Sequence, residues 1–166
     1  MGVTYSQFFP PAPTLIEQNV PNQAGKVFIV TGGTAGVGYE LCKILYGSGG
    51  TVHLAGRSKA NADKAIAEIR NIPSKTPGKI AFLPVELSDL RTIKPAVEAF
   101  QKVESRLDVL VNNAGVSNPP RGSTSAQGYE LQMGTNCLGH YLFTQLLLPL
   151  LRSTAKQAPE ASVRVV

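Results

Sequence analysis

Lys26-Val27-Phe28-Ile29-Val30-Thr31-Gly32-Gly33-Thr34-Ala35-Gly36-Val37-Gly38 decides how the rest of the chain is read. Val27 to Val30 is an apolar run rich in β-branched and aromatic side chains, and it ends in a glycine-rich turn. A helical pattern starts at once, with Leu41, Ile44 and Leu45 on one face. Strand, tight turn and helix in that order form a geometry that binds a pyrophosphate. Glycines let the backbone approach the phosphates, and the unpaired N–H groups at the helix start point at the anion. The spacing is Gly-x-x-x-Gly-x-Gly, not the commoner Gly-x-Gly-x-x-Gly.

Outward from this stretch, strands alternate with helices. Thr51–Ala55 reads as a second strand and Ile80–Val85 as a third. Between them Lys59–Ile72 is helical, with Ala62, Ala65, Ile66 and Ile69 at spacings of three and four. Ser88 or Asp89 caps a helix running to about Ser105. Leu107–Val111 is a short continuous apolar strand, suited to a parallel sheet buried on both faces. The turn Asn112-Asn113-Ala114-Gly115 and an irregular segment, Val116–Ala126, precede a long helix from about Tyr129 to Leu151. Ser162–Val166 opens a fifth strand. Such alternation means βαβ units with parallel pairing, and a sheet of this kind binds its ligand beyond the carboxyl ends of the strands. Residues 1–25 read as an extended arm, because Pro10, Pro11 and Pro13 rule out a regular helix. The arm either lies over the domain surface or serves a partner. Residues 26–166 form the domain.

Composition narrows the function classes. The 166 residues are 43% hydrophobic and 16% charged, with mean hydropathy +0.01. That is one soluble domain with a real core. The net charge is +5 and the pI about 9.4, but Lys and Arg are scattered, which argues against nucleic acid. Cys42 and Cys137 both fall in helical patterns and read as buried reduced thiols, hence a reducing, cytoplasmic setting. No apolar run of ~18 residues is present to span a bilayer, and the N-terminus lacks the pattern of a secretory signal. Met1–Ser6 matches the loose N-myristoylation pattern. His53 and His140 lie far apart with no ligand cluster, so no metal is expected.

Gly56-Arg57-Ser58 stands at the end of strand two, ~20 residues after the glycines, where such a sheet meets the adenosine ribose. An acidic residue there would hold the hydroxyls of NAD. A guanidinium beside a hydroxyl suits a 2′-phosphate, so NADP is expected ahead of NAD.

With these motifs in view the chain resembles the short-chain dehydrogenase/reductase family, especially its retinol-dehydrogenase-like and fungal members. The resemblance runs from about Gly25 to Val166. Thr31–Gly38 matches the family's cofactor loop, Asp108–Gly115 its strand-four signature, and Asn136-Cys137-Leu138-Gly139-His140-Tyr141 the segment carrying its structural and catalytic asparagine. The resemblance implies a Rossmann-like doubly wound parallel α/β sheet of order 3-2-1-4 plus a stub of strand five, incomplete at the C-terminus. It places Gly32, Gly36, Val37 and Gly38 on the pyrophosphate, Arg57 and Ser58 on the 2′-phosphate and Asn113 near the ribose, with Thr34, Leu87 and Gly115 also among the cofactor-binding residues. Glu86 stands where the family usually has the adenine-contacting Asp. Asn136 would help to hold a water of the proton relay.

That family transfers hydride between coenzyme and a carbonyl or alcohol substrate, with a Tyr as proton donor, a Lys one helical turn on, and a Ser in the preceding strand–loop. By resemblance all three belong after strand five, beyond Val166. The chain is therefore expected to bind NADP(H) weakly and, alone, to transfer hydride poorly or not at all. Tyr39-x-x-x-Lys43 has the right spacing but the wrong end of the site, directly after Gly38. Two other readings stay open: a non-redox relative acting as cyclase, isomerase or inactive partner, and a truncated product. A strand-four edge and an apolar stripe of Gly139, Leu142, Leu146 and Leu150 left uncovered would drive self-association or capture of a partner chain.

Overall fold

The computed structural model describes residues 8–12, 14, 16–74 and 76–166. The Met1–Ser6 pattern and Pro13 of the proline-rich arm lie outside the described residues. A single turn of 3-10 helix, Glu17–Asn19, closes on the Asn19 side chain, which accepts from the Ile16 amide at 2.7 Å. The Gln23 amide then ties the segment to the Ser48 carbonyl at 2.8 Å.

Five strands follow: β1 Val27–Thr31, β2 Thr51–Gly56, β3 Lys79–Pro84, β4 Val109–Val111 and β5 Arg164–Val165. They form one parallel sheet of order β3-β2-β1-β4-β5. Four helices connect them: α1 Gly36–Gly47, α2 Lys59–Arg70, α3 Ile93–Gln101 and α4 His140–Ala155. The two-residue period of β1 divides the core. Val27 and Ile29 face α3 and α4, packing with Phe100, Phe143 and Leu147. Phe28 and Val30 face α1 and α2, packing with Cys42, Leu45, Ala62 and Ile69. Helices on both faces make the sheet doubly wound and bury its central strand β1 completely.

β1 is latched to β4 by a charge. The Asp108 carboxylate, 2% exposed, accepts from the Val27 amide at 2.8 Å. The Arg106 guanidinium forks onto the same carboxylate at 2.9 and 2.6 Å. A buried carboxylate so fully bonded fixes where β1 starts. His53 is likewise a core residue of β2. Its Nε2 lies 2.9 Å from Glu104 Oε1, and its ring stands edge-on to Phe100 with centroids 4.8 Å apart.

Four expectations need correction. The helix after Asp89 ends at Gln101, not near Ser105, because the chain turns there to bring Leu107 into the core. Asp89 does open that segment, accepting from the Arg91 amide, but it caps a 3-10 turn, Leu90–Thr92, that precedes α3. Cys42 is buried, and burial pushes its thiol up to about 12, whereas Cys137 is exposed. The sheet edge lies at β5, which pairs with β4 through Val109↔Arg164 and Leu110↔Val165. Leu142, Leu146 and Leu150 pack against the core cluster, and Gly139 is buried on Leu87, whose carbonyl lies 2.5 Å from where its Cβ would be. The exposed stripe instead follows Tyr129, Met133, Cys137 and Tyr141.

Before α4 the helix is wound more loosely: Met133–Gly139 is a π-helical stretch. Glu130 holds its start, its carboxylate accepting from the Gln132 and Met133 amides at 3.0 and 2.8 Å. Those amides hold Glu130 below the usual carboxylate range. Gly134 packs so closely on Ser125 that a Cβ there would lie 2.7 Å from the serine Cβ.

Candidate functional site

A cleft of about 520 Å³ opens beyond the carboxyl ends of the strands. Its first wall is the turn after β1. Gly32 and Gly36 have φ of +68° and +57°, a region that side chains strain to adopt. Gly32 and Gly38 are squeezed. A Cβ on Gly32 would lie 3.0 Å from Ala114 Cα, and one on Gly38 would lie 2.5 Å from Asn113 Nδ2 and 2.6 Å from the Gly32 carbonyl. Gly36 differs, since nothing stands within 4 Å of its missing Cβ. The loop is thus packed tight from behind and open at Gly36, where the first amides of the 12-residue α1 begin. Unpaired amides beside open space at a helix start make an anion cradle.

The second wall is the turn after β4. The Asn113 side chain donates to the Thr31 carbonyl at 2.9 Å. The Ala114 amide donates to the Thr31 hydroxyl at 2.9 Å. Further on, both arms of the Asn136 side chain are taken by Val116, as acceptor from its amide and donor to its carbonyl, each at 2.9 Å. Asn136 therefore sits in the π-helical turn and pins the loop after β4. Its own carbonyl lies 3.1 Å from His140 Nδ1.

The far end of the cleft lies between β2 and β3. Arg57 is 74% exposed at its side chain and faces the Glu86 carboxylate at 3.6 Å. The other Glu86 oxygen accepts from the Ser88 amide and hydroxyl at 3.2 and 2.8 Å. The Ser58 hydroxyl caps α2, accepting from the Asn61 amide at 3.3 Å. Both residues still line the cleft, so its distal end carries one cation held loosely by one anion.

Of the residues expected at the site, Gly32, Thr34, Val37, Arg57, Ser58, Leu87, Asn113 and Gly115 line the cleft together. Gly36 and Gly38 shape the loop without lining it, and Asn136 is turned to Val116. Tyr39 and Lys43 are occupied elsewhere: the phenol bonds Glu68 at 3.2 Å and the ammonium pairs with Glu40 at 2.5 Å. Burial first, and the Glu68 carboxylate second, hold the Tyr39 phenol above its ordinary value, the opposite of an activated proton donor. The residue that sequence reasoning missed is Thr135. It lines the cleft and is 7% exposed, and its hydroxyl has no partner among the described residues. Its position directly before Asn136 was the available signal.

Among the described residues no group of three or more His, Cys, Asp or Glu could hold a metal ion. No helix among them is long and apolar enough to cross a membrane.

The family model described as short chain dehydrogenase matches residues 26–159. The short-chain dehydrogenase/reductase pkfC of Emericella nidulans is 51% identical over 154 residues, covering 93% of this chain and 49% of that protein. The Pseudomonas aeruginosa RhlG/NADP active-site complex superposes with a TM-score of 0.71 at 30% identity, covering 86% of this chain and 53% of that one. The 3-ketoacyl-(acyl-carrier-protein) reductase of Brucella melitensis, complexed with NADH, gives 0.64 at 27% identity, with 81% and 53% covered. The chain spans about half the length of the curated relatives it matches.

Proposed function

The chain belongs to the short-chain dehydrogenase family, and from that premise we propose that its cleft binds NADP(H), as the coenzyme half of a carbonyl or alcohol oxidoreductase acting on a small molecule. The observation that carries the reading is the loop after β1. Gly32, Gly33 and Gly38 stand where a Cβ would clash, and Gly36, at positive φ, opens onto free space at a helix start. Such a cradle fits a pyrophosphate. The orphaned Thr135 hydroxyl marks a second point where the cleft lacks a polar partner.

In this reading the amides from Gly36 to Gly38 take the pyrophosphate, with Gly32 and Thr34 shaping the loop around them. Asn113 and Gly115 form the ribose wall, and Leu87 the floor under the base. Arg57, with Ser58 beside it, takes the 2′-phosphate, exchanging the Glu86 carboxylate at 3.6 Å for a stronger anion. Bound there, the coenzyme supplies or accepts the hydride. Asn136 holds the loop at the nicotinamide side through Val116. The substrate, and the proton donor that the reaction needs, belong to the activity of the whole protein. The exposed stripe Tyr129, Met133, Cys137 and Tyr141 is the face proposed for a second copy or a partner chain, and a monodisperse monomer in light scattering contradicts that part.

Titration of the chain with NADPH and with NADH, followed by coenzyme fluorescence, tests the reading. NADPH should bind about tenfold or more tighter, and Arg57→Ala should erase the difference by removing one charge-assisted contact. Equal affinities that Arg57→Ala leaves untouched contradict the NADP assignment. No binding of either contradicts the coenzyme reading and favours a non-redox relative.

A further inference from the structure

We infer that His140 is a positioning residue: fixed as its Nδ1–H tautomer, it orients the Thr31 hydroxyl and, through it, joins the two turns that wall the cleft.

His140 Nδ1 lies 3.1 Å from the Asn136 carbonyl. A carbonyl oxygen only accepts, so Nδ1 carries the proton. Burial holds the imidazole below its ordinary pKa and keeps it neutral. Nε2 therefore presents a lone pair, and the Thr31 hydroxyl lies 2.9 Å from it. Thr31 has one hydroxyl proton, and it goes to Nε2. The competing acceptor, the Val111 carbonyl, is longer at 3.3 Å. With its proton spent on His140, the Thr31 oxygen turns its free lone pair to the Ala114 amide at 2.9 Å. Thr31 is wholly buried and His140 is 6% exposed, so no solvent competes for these bonds.

Thr31 thus closes a chain that runs from the π-helical turn at Asn136, through the imidazole, to Ala114. Its carbonyl holds Asn113 at the same time. Ala114 and Asn113 are the atoms against which Gly32 and Gly38 pack. Losing the imidazole acceptor frees the hydroxyl to rotate towards Val111. That loosens Ala114 and with it the glycine loop, although His140 does not line the cleft itself.

The link to affinity rests on the coenzyme reading, but the tautomer does not, so two measurements separate them. Side-chain ¹⁵N spectra of the chain without nucleotide should show His140 with Nδ1 protonated and Nε2 bare. An Nε2–H signal overturns the inference. Two substitutions then divide the ring's functions. In His140→Gln the side-chain oxygen reaches the Nε2 position and still accepts from Thr31. In His140→Asn the amide reaches only the Nδ1 position. NADPH affinity and Ala114 amide exchange should stay within about threefold of wild type in H140Q. H140N should lose about tenfold in affinity, as should Thr31→Val, while Thr31→Ser restores it. Equal losses in H140Q and H140N that track their melting temperatures overturn the positioning role. If wild type binds no NADPH, yet Ala114 exchange still separates H140N from H140Q, the coenzyme reading falls and the positioning role stands.

Discussion

The turn after β1 and the turn after β4 meet at one cleft, yet opposite means hold them. The first depends on absent atoms. Gly32 and Gly38 leave no room for a Cβ, and Gly36 leaves room for something else. The second depends on bonds that are made. Asn113, Ala114 and Val116 are each fastened, to Thr31 or to Asn136, at 2.9 Å. A loop that must bring its backbone against a ligand sheds side chains. A loop that must hold still as a wall gains hydrogen bonds. The two should therefore fail differently when altered.

The largest effect is expected at Gly38. Gly38→Ala places a methyl 2.5 Å from Asn113 Nδ2 and 2.6 Å from the Gly32 carbonyl, and neither backbone nor a tethered amide gives way cheaply. Overpacking of this kind costs about 3 kcal/mol. Spent on moving the loop, that is about 100-fold in NADPH affinity, read by fluorescence titration. An unchanged affinity would break the claim that the first turn works by absence.

A smaller loss is expected across the cleft. Asn136→Ala removes two bonds to Val116 at a solvent-exposed position, a cost of about 1 kcal/mol by denaturant unfolding. Amide exchange should speed up at Val116 and leave Gly38 unchanged. Asn136→Ala keeps the backbone carbonyl that His140 bonds, so if both turns loosen together in this variant the contrast is wrong.

The smallest effect is a pH slope. Burial holds His140 below its ordinary value of 6.5, opposed by its bond to the Asn136 carbonyl. Between that lowered value and 6.5 the unfolded chain binds more protons than the folded one. This group's contribution to stability is complete above 6.5 and is lost as pH falls through the window. Melting temperatures at stepped pH should show that slope in wild type, and His140→Gln should flatten it.

The contrast between the turns also explains what the sequence could tell. The glycines of Thr31–Gly38 announce a tight turn by their spacing, and the continuous apolar run Val27–Val30 announces the strand before it. The alternation of strands and helices says that the sheet is parallel, while its order comes only with the resemblance to the family. The braces are not visible in this way. Nothing local says that Asn136 will face Val116, 20 residues away, or that Arg57 will find Glu86. Each depends on how β2, β3 and β4 end relative to one another. The π-helical stretch Met133–Gly139 reads as ordinary helix, since its apolar pattern is helical and nothing in it signals a looser winding. The stripe expected to be bare, Leu142, Leu146 and Leu150, is half-buried against the core, and Tyr141, 66% exposed, stands on the open face instead.

The central claim is that a dinucleotide's phosphates rest on the amides at the start of α1. A ¹H–¹⁵N amide map of the chain, titrated with NADPH, tests it most directly. The account predicts the largest shifts at Gly36, Val37 and Gly38, with smaller ones at Asn113 and Gly115. Saturating coenzyme that leaves those three amides in place would contradict it.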